Sequence, residues 1–224
     1  MSADSRTAVL GNKASPIAGP EKDRLYDLSQ GAISAGLAVL WLFFAWASFG
    51  AWQKNGRPAG IGAVVLELVL VVLFIARRPP KESSRAVLDW VVTLAAFTLL
   101  AARPLDRSPT SWSWAFEAIQ LVGVAGALWS LFALGRSFGL VAANRGLQTR
   151  GPYRFVRHPL YAFYFTVWIG YVLESPTLRN VAIFSLAAVC QFVRLHREEI
   201  FLSRDPSYDD YRQLVRYRLV PRVY

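Results

Sequence analysis

The residues best suited to chemistry stand in two short stretches, RHPLY (157–161) and RLHREE (194–199). Pro159 opens an apolar run, and proline suits the first turn of a helix because its missing N–H would have no partner there. That puts His158 at or near the N-cap, with Tyr161 three residues on and on the same face. A helix start presents free N–H groups and a partial positive charge, and Arg157 adds a full one, so this end is expected to attract a carboxylate. In the second stretch, Glu198 and Glu199 stand near the end of another apolar run, where negative charge opposes the helix dipole. Arg194 preceding Glu198 is also the weaker orientation for an i,i+4 ion pair, so local helix stability does not account for the acids. A zwitterionic cofactor would use both stretches, its carboxylate held by cationic and N–H groups and its ammonium or ribose hydroxyls by a glutamate. S-Adenosylmethionine is such a molecule. The same residues also suit a surface network in which Glu198 and Glu199 pair with Arg194, Arg197 or Arg157.

For the two stretches to meet, the runs they border must form a hairpin. The first extends from Pro159 to Glu174 and the second from Thr177 to Leu195, which returns Arg194, Glu198 and Glu199 to the level of His158. Four earlier apolar runs precede them: Ser29 to Trp52, Gly60 to Ala76, Ala86 to Ala102 and Trp112 to Leu134. A crossing takes roughly 17 to 25 such residues. The fifth run is short; at about 1.5 Å per residue it barely crosses a hydrocarbon core of about 30 Å, so the hairpin is expected to be tilted or partly packed within protein. Composition agrees, since 224 residues that are 54% hydrophobic and carry a net charge of +10 do not resemble a soluble domain with one core. The predicted fold is an all-α integral membrane bundle of about six spans. Its parts are a polar N-terminal segment (1–28), a four-span scaffold (29–134) and a C-terminal region (135–224) comprising a loop, the hairpin 159–195 and a tail helix.

Excess basic charge would point to nucleic acid in a soluble domain, but its placement here follows membrane topology. Lys and Arg number 4 in the N-terminal segment, 4 in the second loop, 5 in the fourth and 7 in the tail, against 2, 2 and 1 in the remaining loops. The positive-inside rule then puts both termini and the second and fourth loops in the cytoplasm, and no nucleic-acid partner is expected. Trp52, Trp112 and Trp114 lie near predicted span ends, where an indole suits the interface as well as ordinary packing does. Met1 to Leu28 is polar with mixed charge, unlike a cleaved signal, so the first run is expected to remain as an anchor. Cys190 stands alone and no Cys/His cluster has ligand spacing, so neither a disulfide nor a metal is expected. Three acids fall within or near spans: Glu67 in the middle of the second, Asp89 early in the third and Glu117 early in the fourth. The last two suit an interface, whereas Glu67 is a candidate for function or for internal pairing. Gly31, Gly36, Gly123 and Gly126 are expected to permit close helix packing.

The fourth connection, GRSFGLVAANRGLQTRGPYRFVRH (135–158), is long, basic and glycine-bearing, as functional loops are. GLQTRGPYRFVRHPLY, followed by an apolar hairpin, RLHREEIFL, SYDDYRQLV and a terminal LVP, resembles the isoprenylcysteine carboxyl methyltransferases and the related membrane phospholipid N-methyltransferases. The likeness covers roughly Gly135 to Pro221. It implies S-adenosyl-L-methionine enclosed by the fourth loop, the hairpin and the tail. By motif, Arg145, Gly146, Leu147, Gln148, Tyr153, His158, Pro159, Leu160, Tyr161 and Glu198 correspond to cofactor-contacting positions, and Arg194 to a substrate-orienting arginine; Glu199 is a further catalytic candidate. Two features depart from the pattern. Phe163 stands where glycine is common, which is expected to narrow the methyl-transfer cavity, and Asp205, Pro206 and Ser207 stand where FG is common.

The resemblance implies a lipophilic methyl acceptor entering from the bilayer among membrane lipids, with carboxyl O-methylation of an isoprenylcysteine-like group foremost and phospholipid or small-amine N-methylation next. A carboxylate acceptor is already ionised at neutral pH and needs no general base, whereas an amine must lose a proton, which gives Glu198 or Glu199 possible work. An NADPH-dependent sterol-type reductase shares an Arg-His-Pro segment, but the paired glutamates argue against it. A non-catalytic binding or transport protein would instead centre on Glu67. Arginine in excess of lysine suggests a bacterial inner membrane; a eukaryotic chain would belong in the endoplasmic reticulum.

Overall fold

The computed structural model describes residues 20–77, 82–83, 91, 112–139, 143–144 and 147–224. Its helices are α1 (Pro20–Asn55), α2 (Pro58–Ala76), α3 (Ser113–Leu134), α4 (Pro159–Glu174), α5 (Leu178–Leu202) and α6 (Pro206–Leu214). Single 3₁₀ turns follow α3 and precede α4, at Gly135–Ser137 and Gly151–Arg154. The described strand pairing is one two-residue antiparallel ladder, β1 (Glu82–Ser83) with β2 (Ala143–Asn144). Local chemistry sets the helix ends. After α1 the chain turns at Gly56, whose φ of 65° favours a residue without a Cβ, and Pro58 opens α2 at its first turn. Thr177 caps α5 by accepting from the Asn180 N–H at 3.1 Å.

Four described helical stretches are long and apolar enough to cross a membrane: Leu28–Asn55, Pro58–Ala76, Ser113–Ser137 and Leu178–Leu202. They correspond to the first, second, fourth and sixth predicted runs. Helix α4 has its predicted bounds, but its 16 residues fall short of that length. Apart from Val91, the third predicted run lies outside the described residues, and so does Asp89. Among the described residues the count is therefore four rather than about six.

Cross-helix contacts give the directions. Ser48 of α1 donates to Glu67 of α2 at 3.0 Å, and Arg77, just past the end of α2, donates to Ser34 of α1 at 2.9 Å, so α1 and α2 are antiparallel. Helices α2 and α3 are parallel. Glu117 accepts from the Ala59 N–H at their starts (3.0 Å), and Arg136 donates to the Ala76 carbonyl at their ends (2.9 Å). The chain thus enters α3 at the opposite end of the bundle from where it leaves α2. Glu67 Oε1 accepts from Ser48, while its Oε2 is buried with no hydrogen-bond partner among the described residues; Glu117 meets the Ala59 N–H in the first turn of α2, where a carboxylate is favoured.

One apolar core joins α1 to α4 through Ala38, Leu70, Phe74, Ala127, Leu131, Phe138 and Leu160. Phe74 is fully buried, its ring 5.5 Å from Trp41 and 5.3 Å from Phe138. Helix α4 lies along α3 at glycine contacts. A Cβ on Gly123 would come within 2.6 Å of Val167, one on Gly126 would overlap the Phe163 ring, and one on Gly170 would come within 2.7 Å of Gln120. Gly31 and Gly36, expected to serve the same purpose, have nothing among the described residues near enough for a Cβ to touch. Opposite the core, α1 exposes Val39, Phe43 and Trp46, the last by 73%; such a face suits hydrocarbon rather than water. Helix α5 stands apart from this layer. It meets α4 locally, through Phe165 stacked on Phe192 at 5.1 Å and Tyr171 beside Phe184 at 5.3 Å.

Candidate functional site

His158 is the N-cap of α4 and Pro159 its first residue, as the spacing predicts. The groups expected to receive a ligand's carboxylate here are engaged by the chain itself. Glu199 of α5, 4% exposed, brings its Oε1 to 2.7 Å from His158 Nε2, and the same oxygen accepts from Arg157 Nε at 3.1 Å and from the Tyr208 hydroxyl at 2.5 Å. Its Oε2 faces Arg157 Nη2 at 3.1 Å and Arg218 Nε at 3.5 Å as charge partners rather than as aligned hydrogen bonds. The Arg157 and His158 N–H groups donate to the Tyr217 and Arg218 carbonyls at 2.9 and 2.8 Å, and Arg157 Nη1 donates to the Val215 carbonyl at 3.2 Å. One buried carboxylate and two main-chain bonds thus tie the tail to the start of α4. Helix geometry leaves the Leu160 and Tyr161 N–H groups without intrahelical partners.

The tail reaches this position because α6 starts cleanly. Asp205 accepts from the Ser207 N–H at 3.0 Å and from the Ser207 hydroxyl at 2.7 Å, with Pro206 in the first turn. The departure DPS is therefore a helix cap. It sets Tyr208 and Tyr211 on one buried face, where Tyr211 donates to the Tyr153 carbonyl at 2.6 Å. Burial first, and then its bond to Glu199, pushes the Tyr208 phenol far above its ordinary pKa. It stays a neutral donor to the carboxylate.

Glu198, the neighbouring acid, is differently placed. It is partly buried, and the Tyr161 hydroxyl donates to its Oε2 at 2.5 Å. The Tyr161 ring stacks on His158, with centroids 5.5 Å apart and planes 5° from parallel, and the Arg194 guanidinium lies 5.3 Å from the ring centre. Arg194 Nε is buried with no hydrogen-bond partner among the described residues. Burial, followed by the nearby Glu198 charge, raises the Tyr153 phenol well above its ordinary value. Tyr153, Tyr161, Arg194 and Glu198 thus share one neighbourhood, with His158 and Glu199 directly behind Tyr161. Gln148 donates to Ser137 at 3.2 Å, Leu147 is 37% exposed, and the Leu160 side chain belongs to the apolar core. Arg145 and Gly146 lie outside the described residues.

Phe163 does not enter this neighbourhood. Two residues on from Tyr161, roughly 200° around the helix, its ring faces Gly126 of α3 and packs on the apolar core. The expectation that it narrows the cavity is corrected accordingly. Sequence reasoning missed Tyr208, Tyr211 and Arg218. The paired tyrosines of SYDDYRQLV, three residues apart on one helix face, were the signal available.

Membrane-length helices, with a helix start, two acids and an arginine gathered at one end of the bundle, define a polytopic membrane protein with a polar site at its edge. Residues 117–204, from the first turns of α3 to just past α5, match the isoprenylcysteine carboxyl methyltransferase (ICMT) family. The matched stretch includes His158, Tyr161, Arg194, Glu198 and Glu199. The chain is also 36% identical over 134 residues to the nickel-cobalt-cadmium resistance protein NccN of Alcaligenes xylosoxydans xylosoxydans, an alignment covering 54% of this chain and 58% of that protein. The chain therefore matches little more than half the length of this relative.

Proposed function

We propose that the protein is an S-adenosyl-L-methionine-dependent membrane methyltransferase, of about six spans with both termini cytoplasmic, acting on a lipophilic acceptor that enters from the bilayer. The observation that carries this reading is the Tyr161–Glu198–Arg194 group inside the family-matched segment. Its residues fit the cofactor: Glu198 has one described donor and unused acceptor capacity for an ammonium or ribose hydroxyl, and Arg194 keeps a buried N–H with no described partner. When bound, the cofactor supplies a methyl group made electrophilic by the sulfonium. The chain's part is to hold and align. By the motif likeness, Tyr153, Pro159, Leu160 and Tyr161, with Leu147, Gln148, Arg145 and Gly146 of the fourth loop, would contact the cofactor. His158 fixes the Tyr161 ring, and Glu199 fixes His158 and the tail.

Alignment of two bound reactants can supply several kcal/mol, up to roughly 7 to 11 in the best intramolecular cases, and no protein nucleophile is required. Arg194 orients the acceptor's anionic group through its fork of donors. The favoured reaction is carboxyl O-methylation of an isoprenylcysteine-like or other lipophilic acid. An amine acceptor would need a base, for which Glu198 is better suited than Glu199, already surrounded by donors. Labelled-methyl transfer to native membrane lipids and to a prenylcysteine analogue tests this: base treatment releases methanol from a methyl ester and leaves an N-methyl group intact. Arg194→Lys is expected to reduce turnover strongly with little change in cofactor affinity. Loss of both together would contradict the division of roles.

A further inference from the structure

Helix α5 carries a second buried donor that the reading above does not use. Ala187, Gln191, Leu195 and Glu199 recur every fourth residue and form its buried stripe. Leu195 packs with Tyr161 and Leu219, and Glu199 holds the tail. Gln191 is 5% exposed, and its Nε2 is buried with no hydrogen-bond partner among the described residues. The buried glutamine of α3 behaves differently, since Gln120 Nε2 donates to Glu174 at 2.8 Å. An unanswered amide within an apolar span costs stability, so this donor has capacity for an acceptor from outside the described residues.

Arg194 Nε, also buried without a described partner, lies one turn nearer the His158 end. Three residues put the Gln191 and Arg194 backbone positions about 4.5 Å apart along the helix axis. Tyr164 and Phe165 of α4 pack against the same part of α5, beside Leu195. An amide N–H can only donate, so the group it meets is an acceptor such as a carbonyl oxygen. We propose that Gln191 is a specificity-determining residue that donates to an ester or amide carbonyl of the methyl acceptor, about one helical turn from the anionic group held by Arg194. The acceptor class is a single-chain acyl amphiphile with its anion and carbonyl at that separation. This rests on the reading of Arg194 as the acceptor-orienting residue.

The test uses the full chain in phosphatidylcholine nanodiscs, with 1-oleoyl lysophosphatidic acid and its 1-O-oleyl ether analogue as binding probes. Wild type is expected to prefer the ester about ten-fold, one hydrogen bond's worth. Gln191→Leu is expected to bind both at the ether's level, and Arg194→Lys to weaken both alike. Ligand-free Gln191→Leu is expected to melt at or above the wild-type temperature, because an unanswered buried amide gives way to an apolar group of similar size. Gln191→Met repeats the comparison should the leucine variant not accumulate. Absence of ester preference in wild type, its persistence in Gln191→Leu, or a lower ligand-free melting temperature in both variants would overturn the proposal. S-Adenosylhomocysteine binding is followed in parallel and should not change in Gln191→Leu. Its absence from wild type would remove the methyltransferase reading, whereas the ester preference stands or falls separately.

Discussion

At its Glu174 end, α4 meets Arg57 from the α1–α2 turn, which forms an ion pair with Glu174, and Gln120 of α3, which donates to it at 2.8 Å. At its Pro159 end it meets Glu199, gripped by His158, Arg157, Tyr208 and Arg218. Both ends therefore use a carboxylate to tie α4 to other parts of the chain. The Pro159 end has something more: beside Glu199 stand Glu198, with Tyr161 as its described donor, and Arg194, with an unanswered Nε. A carboxylate that braces the fold is surrounded by internal donors, and one that serves a ligand keeps capacity open. By that contrast we propose that the paired glutamates divide their work, Glu199 inward and Glu198 outward.

The contrast can be broken by substitution, with unfolding followed by detergent titration in bicelles. Glu199→Ala is expected to be the most damaging, by about 3 to 5 kcal/mol, because it strands a buried arginine. A loss under about 1 kcal/mol would mean that the brace contributes little, since one orphaned buried group alone costs about 1 to 3 kcal/mol. Glu174→Ala should cost less, about 1 to 3 kcal/mol, since Arg57 is partly exposed and can regain water. Asp205→Ala removes the cap of α6 and is expected to cost about 1 kcal/mol. Its effect should be strongly reduced in a Glu199→Ala background, where the tail is already loosened, and full additivity would separate the two. Glu198→Gln is expected to change stability least, within about 0.5 kcal/mol, because the amide oxygen can still accept from the Tyr161 hydroxyl. A large loss there would place Glu198 with the braces.

Much of the fold was legible because it is written in local pattern. Proline and run length give α4 its bounds, and apolar runs give α1, α2, α3 and α5. The site was legible in its members and less so in their roles. Arg157 and the start of α4 present positive charge, as the sequence implies, but the carboxylate that answers it is Glu199, 42 positions away. Nothing in local spacing decides between an internal carboxylate and a ligand's. Glu117 was read as lying near a span end, and the group it meets there, the start of α2, is 58 positions away. Phe163 was read against a motif position, whereas the helix turns its ring to Gly126. Gln191 was passed over because one glutamine in an apolar run carries no pattern. Its meaning comes from burial and the lack of a described partner.

The central claim is that the open pair at the Pro159 end, and not the brace beside it, binds S-adenosylmethionine. Calorimetric titration of the purified protein with S-adenosylhomocysteine, repeated for Glu198→Ala, tests it most directly. The account predicts saturable binding by wild type and affinity about ten- to a hundred-fold weaker in the variant, the range for a hydrogen bond to a charged group. Undiminished binding by Glu198→Ala, or none by folded wild type, would contradict it.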